Sequence, residues 1–433
     1  MRVGRAFLQT FAVQVVQSLA SVATGVVIAR GLGPSEQGRF ALFSSAVGLG
    51  ALVAALGQFH GNVLSAAEHP TQGRIYLLRS AIHCVMLVVV LVIVNTAGLH
   101  LPTLLGLGDV GTAFIAVLCV EALAQMVRGI NLGQHDINAF NLGTFLQRAA
   151  FFGLVLFFRQ TRGLTLLPVV SAWFVAALIS ALVSGAFAWR RSTPMRLGFG
   201  ALGAQWGANV MRGFRALICV ALSLVLVRCD VYMLGPMLGM AAVGQVSVAT
   251  YLAEWLWYVP SILNNLLFAA AAADALNRQV NEIARATRAL VALLVPACLV
   301  LMLSGKTLVH LLYGPAYSEA GTLFVLLLPG ATGLALHQVV DSYFAGRGFP
   351  AITIWAPGVA VAAKVSLNLL LIPHFGVPGA VCATSFVYMG LLMIKIVALC
   401  RERSLRLRVF LWPSWQDIRL NLESAASWML RRA

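Results

Sequence analysis

The sequence predicts an all-α integral membrane protein of about 12 transmembrane helices, built as two six-helix lobes around a central cavity. Composition, the length of the apolar runs and the placement of charge lead there. Of the 433 residues, 60% are hydrophobic and only 10% are charged, and the mean hydropathy is +0.89. A soluble domain averages about 45–50% apolar and about 25% charged residues, so this chain could not cover its own surface with polar groups. The apolar residues fall in runs close to the roughly 20 needed to cross hydrocarbon, joined by short polar loops. About twelve such spans take up roughly 250 residues, which excludes a large soluble catalytic or nucleotide-binding domain.

The spans read, in order, are 7–29, 40–58, 76–97, 111–128, 143–159, 165–189, 214–234, 243–268, 287–305, 320–341, 351–372 and 377–399. The first follows a short basic start, Met1 to Arg5, that imitates a signal peptide. Ala20 and Ala23 make a poor cleavage site and the run continues to Ala29, so it is read as a helix. The fifth is short and interrupted by Arg148. The eighth to eleventh each contain a proline: Pro260, Pro296, Pro329 and Pro357. Each removes a helix hydrogen bond and permits a kink, which suits helices that bend during transport.

Charge placement supports the even count. With the N-terminus inside, the outer loops hold only Arg30, Arg39, Arg159, Arg162 and Lys306, while Arg228 and Lys364 lie within spans. All the other Lys and Arg, out of 30, count to the cytoplasmic side, including Arg79, Arg128, Arg148 and Lys395 toward the inner ends of their spans, which places both termini there. The formal charge of +16 would suggest nucleic acid in a soluble protein; here topology accounts for it, and no nucleic-acid partner is read.

The cation-rich stretch 190–213 divides the chain into an N-terminal six-helix lobe, 1–189, and a C-terminal one, 214–400. The halves share faint similarity at a constant offset of 206: Leu32-Gly33 and Gly38 match Leu238-Gly239 and Gly244, and Gly108 matches Gly314. With both halves starting inside, they read as parallel repeats about an axis along the membrane normal. The tail 401–433 carries Leu411, Trp415, Ile418, Leu422, Ala425 and Met429 at helical spacing, with Arg419, Arg431 and Arg432 off that stripe. It reads as a cytoplasmic amphipathic helix on anionic lipid headgroups.

Two polar stripes and a few deep charges are the candidate functional residues. Thr10, Gln14, Gln17, Ser21 and Thr24 share one face of the first span. Ser247, Tyr251, Glu254, Tyr258, Ser261 and Asn265 share one face of the eighth. Such faces line a water-filled cavity or hydrogen-bond neighbouring helices. Lys364 sits near the centre of the eleventh span, where a lysine costs about 2.5–3.5 kcal/mol on insertion scales. Glu121 and Glu254 are similarly deep, and Arg228 and Asp230 lie near the outer end of the seventh. Intramembrane ions of this kind form structural pairs, relay protons or meet a charged substrate. Asp341 and Arg347 flank an inner loop and read as solvated. The seven cysteines and eight histidines are scattered singly, so neither a metal site, a cofactor site nor a catalytic constellation is read, and the chain is not read as an enzyme.

The segment Ala29-Arg-Gly-Leu-Gly-Pro-Ser-Glu-Gln-Gly-Arg-Phe40 resembles the signature after the first helix of polysaccharide repeat-unit flippases, the Wzx-type members of the multidrug/oligosaccharidyl-lipid/polysaccharide exporter superfamily. Asp230 to Tyr251, Leu312 to Ala320 and Asn368 to Ala380 fit the same pattern, so the resemblance runs from about residue 7 to about residue 400. It implies alternating access that carries a polyprenyl-diphosphate-linked oligosaccharide across the bacterial inner membrane for surface polysaccharide assembly. By that pattern Arg30, Arg228 and Lys364 are candidate cations and Glu254 and Asp230 candidate titratable groups. Together with the polar stripes and deep charges read above, the substrate-contact candidates are Gln14, Gln17, Arg30, Arg228, Tyr251, Glu254, Tyr258 and Lys364, and the coupling-ion candidates Glu254, Asp230 and Glu121. Other polysaccharide-assembly proteins are further candidate partners. The near balance of deep charges leaves a neutral glycan open. The competing readings are a cation-coupled drug exporter of the same superfamily and a non-transporting membrane component or enzyme of the assembly pathway.

Overall fold

The computed structural model describes residues 2–97, 106–161, 163–193, 199–257, 260, 276–346, 350–403 and 410. Among them there is no strand, and eleven α-helices account for nearly every residue. In chain order these are α1 (Arg2–Ala54), α2 (Gln58–Glu68), α3 (Gly73–Thr96), α4 (Gly111–Gly133), α5 (Ile137–Thr161) and α6 (Leu166–Arg190). There follow α7 (Phe199–Leu238), α8 (Met240–Ala253), α9 (Leu276–Tyr313), α10 (Ser318–Gly346) and α11 (Ile352–Arg403).

Nine of the described helices are long and apolar enough to cross a membrane. Two of them, α1 and α11, each join two of the expected spans at a glycine with a non-helical backbone: Gly33 (φ 74°) in α1 and Gly376 (φ 63°) in α11. A positive φ strains any residue with a Cβ, so glycine at these two positions lets a helix stop and restart without a loop. The expected spans thereby map onto the described helices, except that residues 258–268, the second half of the eighth, lie outside the described set apart from Pro260. The tail from 404, Phe410 aside, also lies outside it.

The inter-lobe loop needs correction. Residues 199–213 are helical and form the start of α7. This stretch holds no proline, and its one arginine, Arg212, keeps its head at the surface, paired with Glu68 of α2 (2.6 Å). The segment is seated on α2 by glycines: a Cβ on Gly57 would collide with the Gly213 backbone, and one on Gly61 with the Asn209 backbone.

The chain forms two compact units, one of Met1–Gly235 with Gly239–Gly244, the other of Pro236–Leu238 with Gln245–Ala433. In the first, α4 is central, and its Ala122, Ala124, Met126 and Ile130 are fully buried. Phe43, Phe114 and Trp173 meet edge-on at its core, the first two rings 5.9 Å apart. In the second, α10 packs between α9 and α11 and buries Leu328, Ala331 and Val339 completely. The outer faces carry many large apolar side chains. Val85, Val89, Val90 and Ile93 of α3 are exposed, as are Leu299, Val300 and Leu303 of α9. Only lipid accepts such surfaces, and helices satisfy their own backbone groups within it.

The offset of 206 reappears in three dimensions. Gly33 and Gly239 both take a positive φ, and so do Gly108 and Gly314, each leading into a short 3-10 turn. Gly38 and Gly244 pack against each other reciprocally: a Cβ on Gly38 would strike the Met240 carbonyl, and one on Gly244 the Pro34 carbonyl. Pro34 and Met240 are themselves 206 apart.

Candidate functional site

The polar stripe of the first span begins as a helix–helix seam. Gln17 donates from Nε2 to Thr144 Oγ1 (3.0 Å) and to the Asn141 carbonyl (3.4 Å) on α5. Arg148, the residue that interrupted the fifth span, donates to Ser21 Oγ (3.0 Å) and to the Gln17 carbonyl (3.3 Å). A cation in the middle of α5 is thus held by the hydroxyl and backbone of α1, as polar side chains between membrane helices commonly are. Of Gln14 only the backbone is described, and Tyr258 lies outside the described residues.

A second polar cluster sits within the first unit, around Glu121 on α4. Its carboxylate accepts from Arg128 Nη2 (3.2 Å), Gln147 Nε2 (2.7 Å) and Trp173 Nε1 (3.2 Å). Arg128 also donates to Gln147 Oε1 (2.5 Å) and Ser180 Oγ (2.9 Å). Glu121 and Arg128 are seven residues apart on one face of α4, and both side chains are about nine-tenths buried. Charge, hydrogen bonding and burial are matched here across α4, α5 and α6.

The remaining candidates divide between the units. Arg30 is exposed just before the Gly33 break, while Arg228 is half-buried and Asp230 buried in α7 of the first unit. Tyr251, Glu254 and Lys364 belong to the second. The expected continuous face of the eighth span breaks at Glu254, where α8 tightens into the 3-10 turn Glu254–Trp257. Pro260 supplies a cause: its ring crowds the carbonyl four residues back and it offers no amide hydrogen. A 3-10 turn winds at about three residues per turn, so the stripe drawn for an α-helix holds only as far as Glu254; Tyr258, Ser261 and Asn265 lie outside the described residues.

Lys364 is fully buried. Its Nζ lies 5.1 Å from the centroid of the Tyr388 ring, a cation–π contact between residues on either side of the Gly376 break. Tyr388 in turn meets Trp257 edge-on at 6.4 Å, and Trp257 Nε1 donates to the Ala331 carbonyl (3.0 Å). A cation, two aromatic rings and a broken helix therefore come together inside the second unit.

The same unit holds an ion pair that sequence reading missed. Lys395 Nζ lies 2.5 Å from Asp341 Oδ1; the lysine side chain is 0% exposed and the aspartate's 36%. Lys395 also sits 5.0 Å from the Phe344 ring centroid, and buried His337 lies one turn before Asp341. Asp341 was expected to be solvated, and Lys395 to belong to the cytoplasmic charge. The available signal was that Lys395 lies inside the span 377–399 rather than after it.

Neither a protein-family model nor any curated protein matches the sequence. Solved structures do match its shape. One is an inward-facing multidrug resistance MATE family transporter of the MOP superfamily, with TM-score 0.69, 14% identity, 91% of this chain and 98% of that one covered. Another is the lipid II flippase MurJ in an inward closed conformation, with TM-score 0.72, 10% identity and coverages of 93% and 89%. A third is a mutant of the Vibrio cholerae MATE transporter VcmN, with TM-score 0.63, 14% identity and coverages of 93% and 98%. The fold is that of the MATE and MurJ transporters. At these identities the likeness establishes the architecture of a multi-pass membrane transporter fold; the substrate is a separate question.

Proposed function

We propose that this chain flips a polyprenyl-diphosphate-linked oligosaccharide across the bacterial inner membrane by alternating access, in the service of surface polysaccharide assembly. The observation that carries the reading is a fully buried lysine, Lys364, set against aromatic rings in a fold shared with a lipid II flippase. A diphosphate crossing hydrocarbon must trade its hydration for fixed protein charge, and a deep cation supplies that. Gln14, Gln17, Arg30, Arg228, Tyr251, Glu254, Tyr258 and Lys364 would contact the lipid-linked sugar, and Glu254, Asp230 and Glu121 would couple its passage to an ion. Both termini would be cytoplasmic, with the basic tail on anionic headgroups, and other polysaccharide-assembly proteins would be partners.

One specific observation favours a second reading, a cation-coupled drug exporter: MATE structures share the fold over more than nine-tenths of this chain, and Glu254 offers an acidic group within the second unit. Binding separates the two. Purified protein should bind a polyprenyl-diphosphate oligosaccharide, and Lys364→Gln should weaken that binding at least tenfold. Saturable binding of tetraphenylphosphonium, lost in Glu254→Gln, with none of the lipid-linked sugar, would favour the exporter.

A further inference from the structure

A pocket unconnected with any residue assigned above opens within the first unit, where α2, α3 and α7 meet. Its volume is about 160 Å³, and its lining includes Ser65, Tyr76, Arg79, Asn209, Glu68 and Arg212. One bound water requires only about 10–15 Å³ on this scale, so the space admits a group of several heavy atoms. The floor is buried: Tyr76, Arg79 and Asn209 are at most 4% exposed. Glu68 and Arg212, also in the lining, are exposed.

Arg79 sets the chemistry. Its guanidinium lies 4.6 Å from the Tyr76 ring centroid, and its Nε and Nη2 are buried without a hydrogen-bond partner. The carboxylate nearest to hand in the lining, Glu68, is taken by Arg212 (2.6 Å). The neighbouring polar groups are also committed. Tyr76 Oη donates to the Ser65 carbonyl (2.9 Å), Ser65 Oγ to Asn209 Oδ1 (2.5 Å), and Asn209 Nδ2 to Asn62 Oδ1 (3.0 Å). The pocket is therefore built around one buried cation, two of whose donors, Nε and Nη2, meet no protein acceptor. A guanidinium in that condition is among the costliest groups to bury, and its planar fork matches the oxygens of a phosphate.

Its surroundings fix the level in the membrane. Trp189 is half-exposed beside the pocket's helices, with Arg74 stacked 4.4 Å over its ring, and Trp206 donates to His83 Nδ1 (3.1 Å). Indoles with one wet edge mark the headgroup zone, and just beyond, α3 turns the lipid-facing residues Leu78, Ile82 and Val85 outward. The charge pattern assigns this end of the unit to the cytoplasmic leaflet.

We propose that the Arg79 pocket binds a phosphate group at the membrane surface, either the headgroup of an anionic phospholipid or a free phosphate, with the Arg79 guanidinium as its ligand. The site is distinct from the proposed transport residues, and nothing in it requires the transport reading to hold.

Melting of the purified full-length protein in neutral detergent tests this, with three probes: sodium phosphate, sodium chloride at matched ionic strength, and short-chain phosphatidylglycerol beside phosphatidylcholine of the same chains. The expected result is a saturable rise in melting temperature with phosphate or with phosphatidylglycerol, absent with chloride and phosphatidylcholine. A response to phosphate identifies a free-anion site; a response to phosphatidylglycerol alone identifies a headgroup site. Arg79→Gln should need at least tenfold more of the active probe, while its melting temperature without probe stays equal to or above that of the parent, because a stranded buried charge has been removed. Arg79→Lys, which keeps the charge and loses the fork, should retain a weakened response. Equal responses in the parent and Arg79→Gln, or no response in either, would overturn the proposal. The basic tail is intact in every variant and cannot produce the difference between them.

Discussion

The Asp341–Lys395 pair predicts a lopsided pair of mutants. Lys395 is 0% exposed and Asp341 36%. Asp341→Asn would strand an ammonium that water cannot reach, and removing one partner of a buried pair costs about 3–5 kcal/mol. The Phe344 ring at 5.0 Å is present before and after, so it does not offset the loss. Lys395→Met keeps the length of an apolar stem and leaves a carboxylate with a third of its side chain in solvent, where an ion pair is worth about 0–1 kcal/mol. The two losses should therefore differ by about 3 kcal/mol, roughly a hundredfold in equilibrium constant. For a unit of this size that is a difference of roughly 6–12 °C in melting temperature. The double variant should melt near Lys395→Met, since neutralising both groups leaves no buried charge. Thermal melting of the three detergent-purified variants at pH 7 measures this. Equal losses in the two single variants, or a larger loss in Lys395→Met, would refute the argument from asymmetric burial.

Other consequences follow from the same geometry. Glu121→Gln should destabilise the first unit by about 3 kcal/mol, and adding Arg128→Gln should recover most of it; a double variant as unstable as the sum of the singles would mean the two are not coupled, as a double-mutant melting cycle would reveal. Gly38→Ala and Gly244→Ala should each lower membrane abundance, because the added methyl meets backbone rather than a movable side chain and overpacking costs about 1–3 kcal/mol; normal levels by immunoblot for both would contradict the reciprocal packing. Lys364→Arg should keep most of the flipping rate in vesicles and Lys364→Gln should lose it at unchanged protein level. If Lys364→Gln instead falls in abundance and Glu254→Gln restores it, Lys364 is half of a structural pair.

Much of this fold was legible because its strongest signals are local and continuous. Apolar runs of spanning length became α3, α4, α5, α6 and α10 with small boundary shifts. The glycine offset of 206 was legible because a positive φ or a backbone contact leaves glycine little competition at Gly33, Gly38 and their counterparts. The candidate sites were less legible, since hydropathy locates a charge along a span but not around it. Gln17 and Arg148 looked like separate irregularities and are one seam between α1 and α5. Lys395 and Arg79 lie near span ends, where a charge count assigns cations to loops, yet both are turned inward and buried. The break at Glu254 was hidden because Pro260 acts one turn upstream of itself.

The central claim is transport of a lipid-linked sugar, and the direct test is a flipping assay in proteoliposomes. A fluorescent polyprenyl-diphosphate oligosaccharide is placed in both leaflets and the outer population is quenched from outside. The account predicts that vesicles with this protein expose the inner population to the quencher within the assay, that vesicles lacking protein hold about half of the signal, and that Lys364→Gln vesicles behave like the empty ones. Retention of half the signal by vesicles containing folded protein, across imposed proton and sodium gradients of either sign, would contradict it.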